Sequence, residues 1–226
     1  MFKKISYVIL AVSASLIITD CKQKADQEDK EKEKKEMTIQ EKVDQYATVK
    51  LTTDLSILSE NQKKMLPLLV EVAKIMDDIF WVENFGDKDE LLNSVEDQAT
   101  KEFIKINYGP WDILRNNEPF VDGYGPKPAG ANFYPKDMTK QEFEAFEAEN
   151  KASLYTLIRK SESGSLYTIP YNEAFAEEVK KASELIKQAA ELAEDEGLKK
   201  YLELRAEALL NDKYYESDVA WMEMKN

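Results

Sequence analysis

Apolar side chains recur along this chain in two rhythms. Between residues 59 and 84, Leu69, Val72, Met76, Ile79 and Glu83 keep the three-four spacing of one helical face, and Leu68, Ile75 and Val82 widen it. That spacing predicts a buried helix. A second helix is predicted over 97–107, with Phe103, Ile104 and Ile106 inward and Gly109 and Pro110 forbidding continuation. Thr139 and Glu142 form a T-x-x-E capping box that opens a helix carrying Phe143 and Phe146. The rhythm then shortens to two. Leu154, Thr156 and Ile158 alternate against Tyr155, Leu157 and Arg159, and after a turn over 161–164 the run SLYTIP repeats the alternation, which predicts a β-hairpin. From Asn172, read as an N-cap, the stripe Phe175, Val179, Ala182, Ile186, Ala189 and Ala193 predicts a helix that stops at Gly197. Leu198, Tyr201, Leu202, Leu209 and Leu210 would pack back on it as a helical hairpin. The predicted class is mostly α with a small β-hairpin, an α+β fold.

The beginning of the chain follows neither rhythm. Lys3 and Lys4 precede an apolar run over 5–18, short for a membrane span but the size of a signal-peptide core, and Thr19, Asp20 and Cys21 follow. This resembles a bacterial lipoprotein signal, with residues 1–20 as the signal peptide and Cys21 as the lipidated residue. The departure is Asp20, where a small uncharged residue is usual. Residues 22–36 hold six lysines, six acids and no large apolar side chain, so low hydrophobicity cannot offset ordering entropy there. Residues 21–44 are read as the lipidated cysteine and a charged disordered linker, and 45–226 as the folded body. The expected localisation is exported and lipid-anchored in the bacterial cell envelope. The expected partner is therefore the membrane.

Charge and composition narrow the chemistry. Acids outnumber bases 44 to 31, and a formal net charge of −13 repels phosphate backbones, so no nucleic acid partner is expected. Histidine is absent from all 226 residues, which removes the usual general base and the commonest ligand of catalytic zinc. The single cysteine has no second thiol with which to share a metal. No catalytic residue, metal ligand or cofactor is therefore assigned within this chain. Carboxylate neighbours such as Asp77 with Asp78, or Glu147 with Glu149, point from diverging faces and read as solvated surface.

One segment breaks the blandness. Four of the seven glycines and five of the seven prolines fall in 107–137, where Tyr108, Trp111, Phe120, Tyr124, Phe133 and Tyr134 offer both burial and polar tips. Long loops of this kind usually have a functional reason. Two readings stay open for Tyr108, Trp111, Asp112, Tyr124, Asn132, Phe133 and Tyr134: they line a substrate, or they pack one lobe of a larger protein.

The runs NYGPWD at 107–112, KPAGANFYPKDMTKQEF at 127–143 and YYESDVAWM at 214–222 carry a family resemblance. They look like the N-terminal part of bacterial proteins of the dipeptidyl peptidase III family, and the resemblance covers about residues 45–226. It implies part of a larger two-lobed zinc exopeptidase that removes dipeptides from peptide N-termini. It also implies a zinc held by an H-E-x-x-G-H or H-E-x-x-x-G-H helix and a later glutamate. None of these ligands has a counterpart here, so zinc belongs to the full-length family and peptides become partners only if the missing part is supplied. The alternative is a self-sufficient envelope lipoprotein that binds a peptide or small ligand through its aromatic loop, and a third reading is a structural partner of other envelope proteins. Tyr214, Tyr215, Val219, Trp221 and Met222 crowd into nine residues, which predicts an apolar docking surface there.

Overall fold

The computed structural model describes residues 36–224, so Cys21, the apolar run before it and residues 22–35 of the charged tract lie outside the described residues. The chain divides into two compact units with the boundary between Gln45 and Tyr46. In the first, α1 (Ile39–Val43) lies inside the stretch read as linker. Local bonds explain it. The Thr38 side chain accepts the Glu41 amide at 3.2 Å, and the Glu41 carboxylate accepts the Thr38 amide at 2.8 Å, a reciprocal capping box.

The second unit begins with an irregular stretch and then α2 (Glu60–Asn84), opened by a Ser59–Gln62 capping box and continuous through Pro67. The proline removes one rung of the ladder early in the helix without ending it. Met65, Ile75 and Ile79 are buried on one face, while Trp81 is buried near the C-terminal end. The helix thereby joins two apolar clusters. Ile75 and Ile79 enter the larger one with Leu157, Val179, Ile186 and Leu202, and Trp81 enters a smaller one with Leu91 and Ile104.

The smaller cluster is built by α3 (Lys88–Asn93) and α4 (Gln98–Asn107), capped by Asp87 and Asp97. Helix α3 has no counterpart among the predicted elements, because six residues are too few to display a period. In α4, Phe103 and Ile104 are fully buried as expected. Ile106 is only half-buried, and Asn107 takes the inward place, donating from Nδ2 to the Phe103 carbonyl at 2.8 Å and accepting the Ile113 amide at 2.9 Å. Asn107 lies four residues after Phe103 and so shares its face; Ile106 does not. Beyond α4 come β1 (Trp111–Asp112), a single 3-10 turn (Ile113–Arg115) and β2 (Glu118–Pro119), which pairs with β1 in a short antiparallel ladder.

Helix α5 (Lys140–Ala145) begins with the predicted capping box of Thr139 and Glu142. Strands β3 (Thr156–Lys160) and β4 (Leu166–Pro170) form the predicted antiparallel hairpin, with Ile158 opposite Thr168. The alternation expected of β3 is absent, since Thr156, Leu157 and Ile158 are all buried. The strand is covered on both faces.

Helix α6 (Tyr171–Ala174) leads into α7 (Ala176–Leu192). Asn172 caps neither. Its amide donates to Asp212 Oδ2 at 3.1 Å and its Nδ2 to the Leu210 carbonyl at 3.0 Å, so a distant loop claims the side chain. The α7 stripe is buried from Phe175 through Ala189. The helix ends at Leu192 rather than at Gly197, which lies inside α8 (Glu196–Ala208) behind the Asp195 cap. Helices α7 and α8 pack as the expected hairpin. Ala182, Ala189 and Ala206 are fully buried, and Ser183 Oγ donates to the Ala206 carbonyl at 2.7 Å. Leu210, expected inward, is 41% exposed, because the chain leaves the helix just before it. A last helix, α9 (Tyr215–Glu223), packs on α8. No helix among the described residues is long and apolar enough to cross a membrane.

The fold class is as the sequence predicts: the described residues are mostly helical, with two small antiparallel sheets.

Candidate functional site

The aromatic loop starts at a strained position. Tyr108, not Gly109, leaves the helix in the left-handed region at φ 51°, and both amides bond back to the Ile104 carbonyl. A non-glycine residue there needs compensation. The Tyr108 hydroxyl donates to Asp77 Oδ1 at 2.5 Å, its carbonyl accepts Asn84 Nδ2 at 2.5 Å, and its ring packs on Phe80 and Trp81. The Asp77 bond, followed by burial, holds the Tyr108 hydroxyl above the usual phenol range.

Next along the loop, Trp111 is buried, donates to the Gly125 carbonyl at 2.9 Å and packs with Phe85 and Tyr124. Asp112 is fully buried, caps the following turn through the Leu114 amide at 3.1 Å, and receives Arg115 Nη1 at 2.8 Å. Lys127 lies 5.7 Å from the Trp111 ring and donates to Asn84 Oδ1 at 2.8 Å, with burial pulling its ammonium below the usual lysine range. Asn84 thus ties together both ends of the loop's first half.

The second half is a strap. Asn132 donates from its amide to the Glu83 carbonyl at 2.9 Å and from Nδ2 to the Val82 carbonyl at 2.7 Å, closing the C-terminal end of α2. The Phe133 carbonyl accepts the Ile158 amide at 3.0 Å and Arg159 Nη1 at 3.3 Å, while its side chain packs on the larger core. Tyr134 meets Phe143 edge to face and helps line a surface cavity of about 430 Å³ with Met138, Pro128 and Lys140. The seven loop residues are therefore not one constellation: Tyr108 and Tyr124 pack on the smaller core and Trp111 packs with Tyr124, Asp112 is buried at the turn it caps, Asn132 and Phe133 fasten the strap, and Tyr134 alone of the seven faces this cavity.

A second concavity, of about 520 Å³, lies among α2, α7, α8 and the start of α9, with Met76, Ile79 and Val179 among its apolar walls and Glu83, Tyr171 and Arg205 as polar lining. Glu83 is half-buried and shares the groove with Tyr171. Burial pushes its carboxyl up, against a lowering effect of the Tyr171 hydroxyl, and Oε1 has no partner. The Tyr171 hydroxyl is raised by burial and then by the Glu83 charge. Arg205 donates from Nη2 to Asp218 Oδ1 at 2.5 Å and lies 5.2 Å from the Tyr214 ring, with Nε unpartnered. The Tyr214 hydroxyl is pushed up to about 12, by burial first and the Asp212 charge second. Glu83 was visible in the sequence as the one carboxylate on the apolar α2 stripe. Tyr171 and Arg205 carried no comparable signal.

Among the described residues no group of three or more Asp, Glu, Cys or His is placed to hold a metal. A chain without histidine and with one cysteine does not offer the donor set of a catalytic zinc.

No protein-family model matches the sequence. It is 32% identical over 254 aligned residues to Nudix hydrolase 3 of Arabidopsis thaliana, an alignment that takes in 85% of this chain and 33% of that protein. Among solved structures, dipeptidyl peptidase III from Caldithrix abyssi superposes with a TM-score of 0.76 at 42% identity, over 81% of this chain and 37% of that one. Dipeptidyl peptidase III from Corallococcus sp. strain EGB superposes with a TM-score of 0.74 at 33% identity, over 83% of this chain and 37% of that one. The chain spans about a third of the length of these relatives. Its fold is peptidase-like. The likeness to these two structures, at 42% and 33% identity over most of this chain, supports the dipeptidyl peptidase III family.

Proposed function

We propose that this chain is the N-terminal portion of a zinc-dependent dipeptidyl peptidase III-like exopeptidase, lacks the zinc-binding motif, and is inactive alone. The observation that carries the reading is the superposition on two dipeptidyl peptidase III structures at 42% and 33% identity over most of this chain and 37% of theirs. The lack of histidine supports inactivity alone, since no donor set in this sequence holds and opens a catalytic zinc. The chain's own part is then a scaffold: the Tyr108–Asp77 and Asn132–Glu83 bonds hold the aromatic loop against α2. The sequence before the body supports export, cleavage before Cys21 and anchoring by acyl chains on that residue. Zinc-dependent release of dipeptides from dipeptidyl-naphthylamides tests the reading. The chain alone should release none with or without added zinc, and sustained release by it would refute the proposal.

A second reading is a self-sufficient envelope lipoprotein that binds a peptide or small ligand. The cavity of about 430 Å³ beside Tyr134 and Phe143 favours it, being concave, apolar and built by the loop itself. Saturable binding of a peptide library, lost on Tyr134→Ala, is its expected signature.

A further inference from the structure

We propose that the groove holding Glu83 and Arg205, continued along the outward side of α9, is the seat of the part of the dipeptidyl peptidase III fold that this sequence does not span. The proposal rests on the family reading above and names the surface at which the two portions meet. Helix α9 is turned inside out for an outermost element. It buries Ser217 and Ala220 while Tyr215, Trp221 and Met222 are 80%, 60% and 69% exposed. Small residues against α8 let the helix sit close; the aromatic side then has nothing among the described residues to cover it. At the other rim of the groove, Leu154 is 82% and Phe80 46% exposed, and both line it.

The two regions are continuous. Tyr214 and Asp218 form part of the groove wall, and Trp221 follows them at the seven- and three-residue spacing that shares a helical face. The groove wall also holds two buried polar atoms without partners, Glu83 Oε1 and Arg205 Nε, which folded interiors rarely leave unmatched. The apolar surface runs past the concavity to Trp221 and Met222 near the end of α9, more than a small ligand would cover. A second copy of this chain is disfavoured as the occupant, because two chains each at −13 repel. The remaining portion of the fold is the occupant for which there is a direct indication, since each solved relative carries the larger share of its chain outside the superposed part.

The test titrates the portion of the Caldithrix abyssi enzyme that lies outside the superposition into the full chain, followed by analytical ultracentrifugation. The native chain should form a one-to-one complex. Leu154→Asp and Trp221→Asp, both at exposed positions and checked for unchanged circular dichroism, should each weaken it by at least about tenfold, as a charge buried in an apolar interface does. Ile57→Asp, at a position 82% exposed and outside the groove, should leave it unchanged. Failure of the native chain to bind, equal binding by both groove variants, or self-association abolished by Leu154→Asp in place of complex formation would each overturn the proposal. Dipeptide release is read in parallel. A groove-dependent complex without zinc-dependent release sustains this surface and removes the peptidase reading. Release that survives both groove variants does the reverse.

Discussion

Glu83, in the last turn of α2, and Tyr171, the first residue of α6, face the same apolar groove, where burial first and the Glu83 charge second raise the Tyr171 hydroxyl. The pair brings the end of α2 to the exit of the β-hairpin. It also leaves a carboxylate half-buried with one oxygen unpartnered, which makes its protonation state a stability variable.

Burial raises the Glu83 carboxyl above its ordinary range, so the folded chain holds that proton to higher pH than the unfolded chain does. The associated stability is fully present below the ordinary glutamate value of about 4.3 and is lost as pH rises through the raised folded value. In Glu83→Gln this titration is gone. The unfolding free energy of the native chain minus that of the variant should therefore fall as pH rises across this window. Asp212, also raised by burial, is present in both proteins and cancels in the difference. Urea melts at several pH values measure it, and a flat or rising difference would refute the assignment.

Tyr108→Phe removes the hydroxyl that donates to Asp77 while keeping the ring on Trp81. A hydrogen bond to a charged acceptor contributes about 1.5–3 kcal/mol, and partial exposure of this pair places the expected loss at the lower end. Denaturant unfolding checks it. Tyr108→Gly should lose less than these contacts alone predict, because glycine relieves the left-handed backbone at φ 51°.

Truncation of a fully buried aromatic residue should cost far more than truncation of a half-exposed aliphatic one. Phe103 is fully buried, with Phe120 at 4.5 Å and Tyr46 at 6.2 Å between ring centroids, and Phe103→Ala should cost about 3–5 kcal/mol. Leu210, 41% exposed, should lose under about 0.5 kcal/mol on replacement by alanine. Thermal melts of the two variants should separate clearly; equal losses would mean that the loop cluster is not a packed core.

Cys21 is proposed as the lipidated residue on sequence pattern alone. Metabolic labelling with an acyl analogue should mark the native chain in a bacterial host and leave Cys21→Ala unmarked. Equal labelling of both would remove the anchor.

The sequence by itself determined what short-range chemistry decides. Spacing placed α2 and α4, and the Thr139–Glu142 box the start of α5, within a residue or so, because each helix opens on a cap that bonds to the amide three residues on and needs no distant partner. The hairpin and the α7–α8 pair were legible for the same reason. The tertiary structure decided the rest. Asn172 has the chemistry of a cap, yet Leu210 and Asp212 take its hydrogen bonds across some forty residues of chain. Gly197 reads as a helix stop but starts one, since Asp195 caps the next helix before it. Strand β3 lost its alternation once both of its faces were covered. Among the loop residues, only packing could separate buried Trp111 and Asp112 from surface-facing Tyr134, because all three sit in the same Gly- and Pro-rich texture. Glu83 stood on an apolar stripe in plain view. Its partner Tyr171 is 88 residues further on, and a contact of that separation is set by how α2 and the hairpin pack together, which no local pattern encodes.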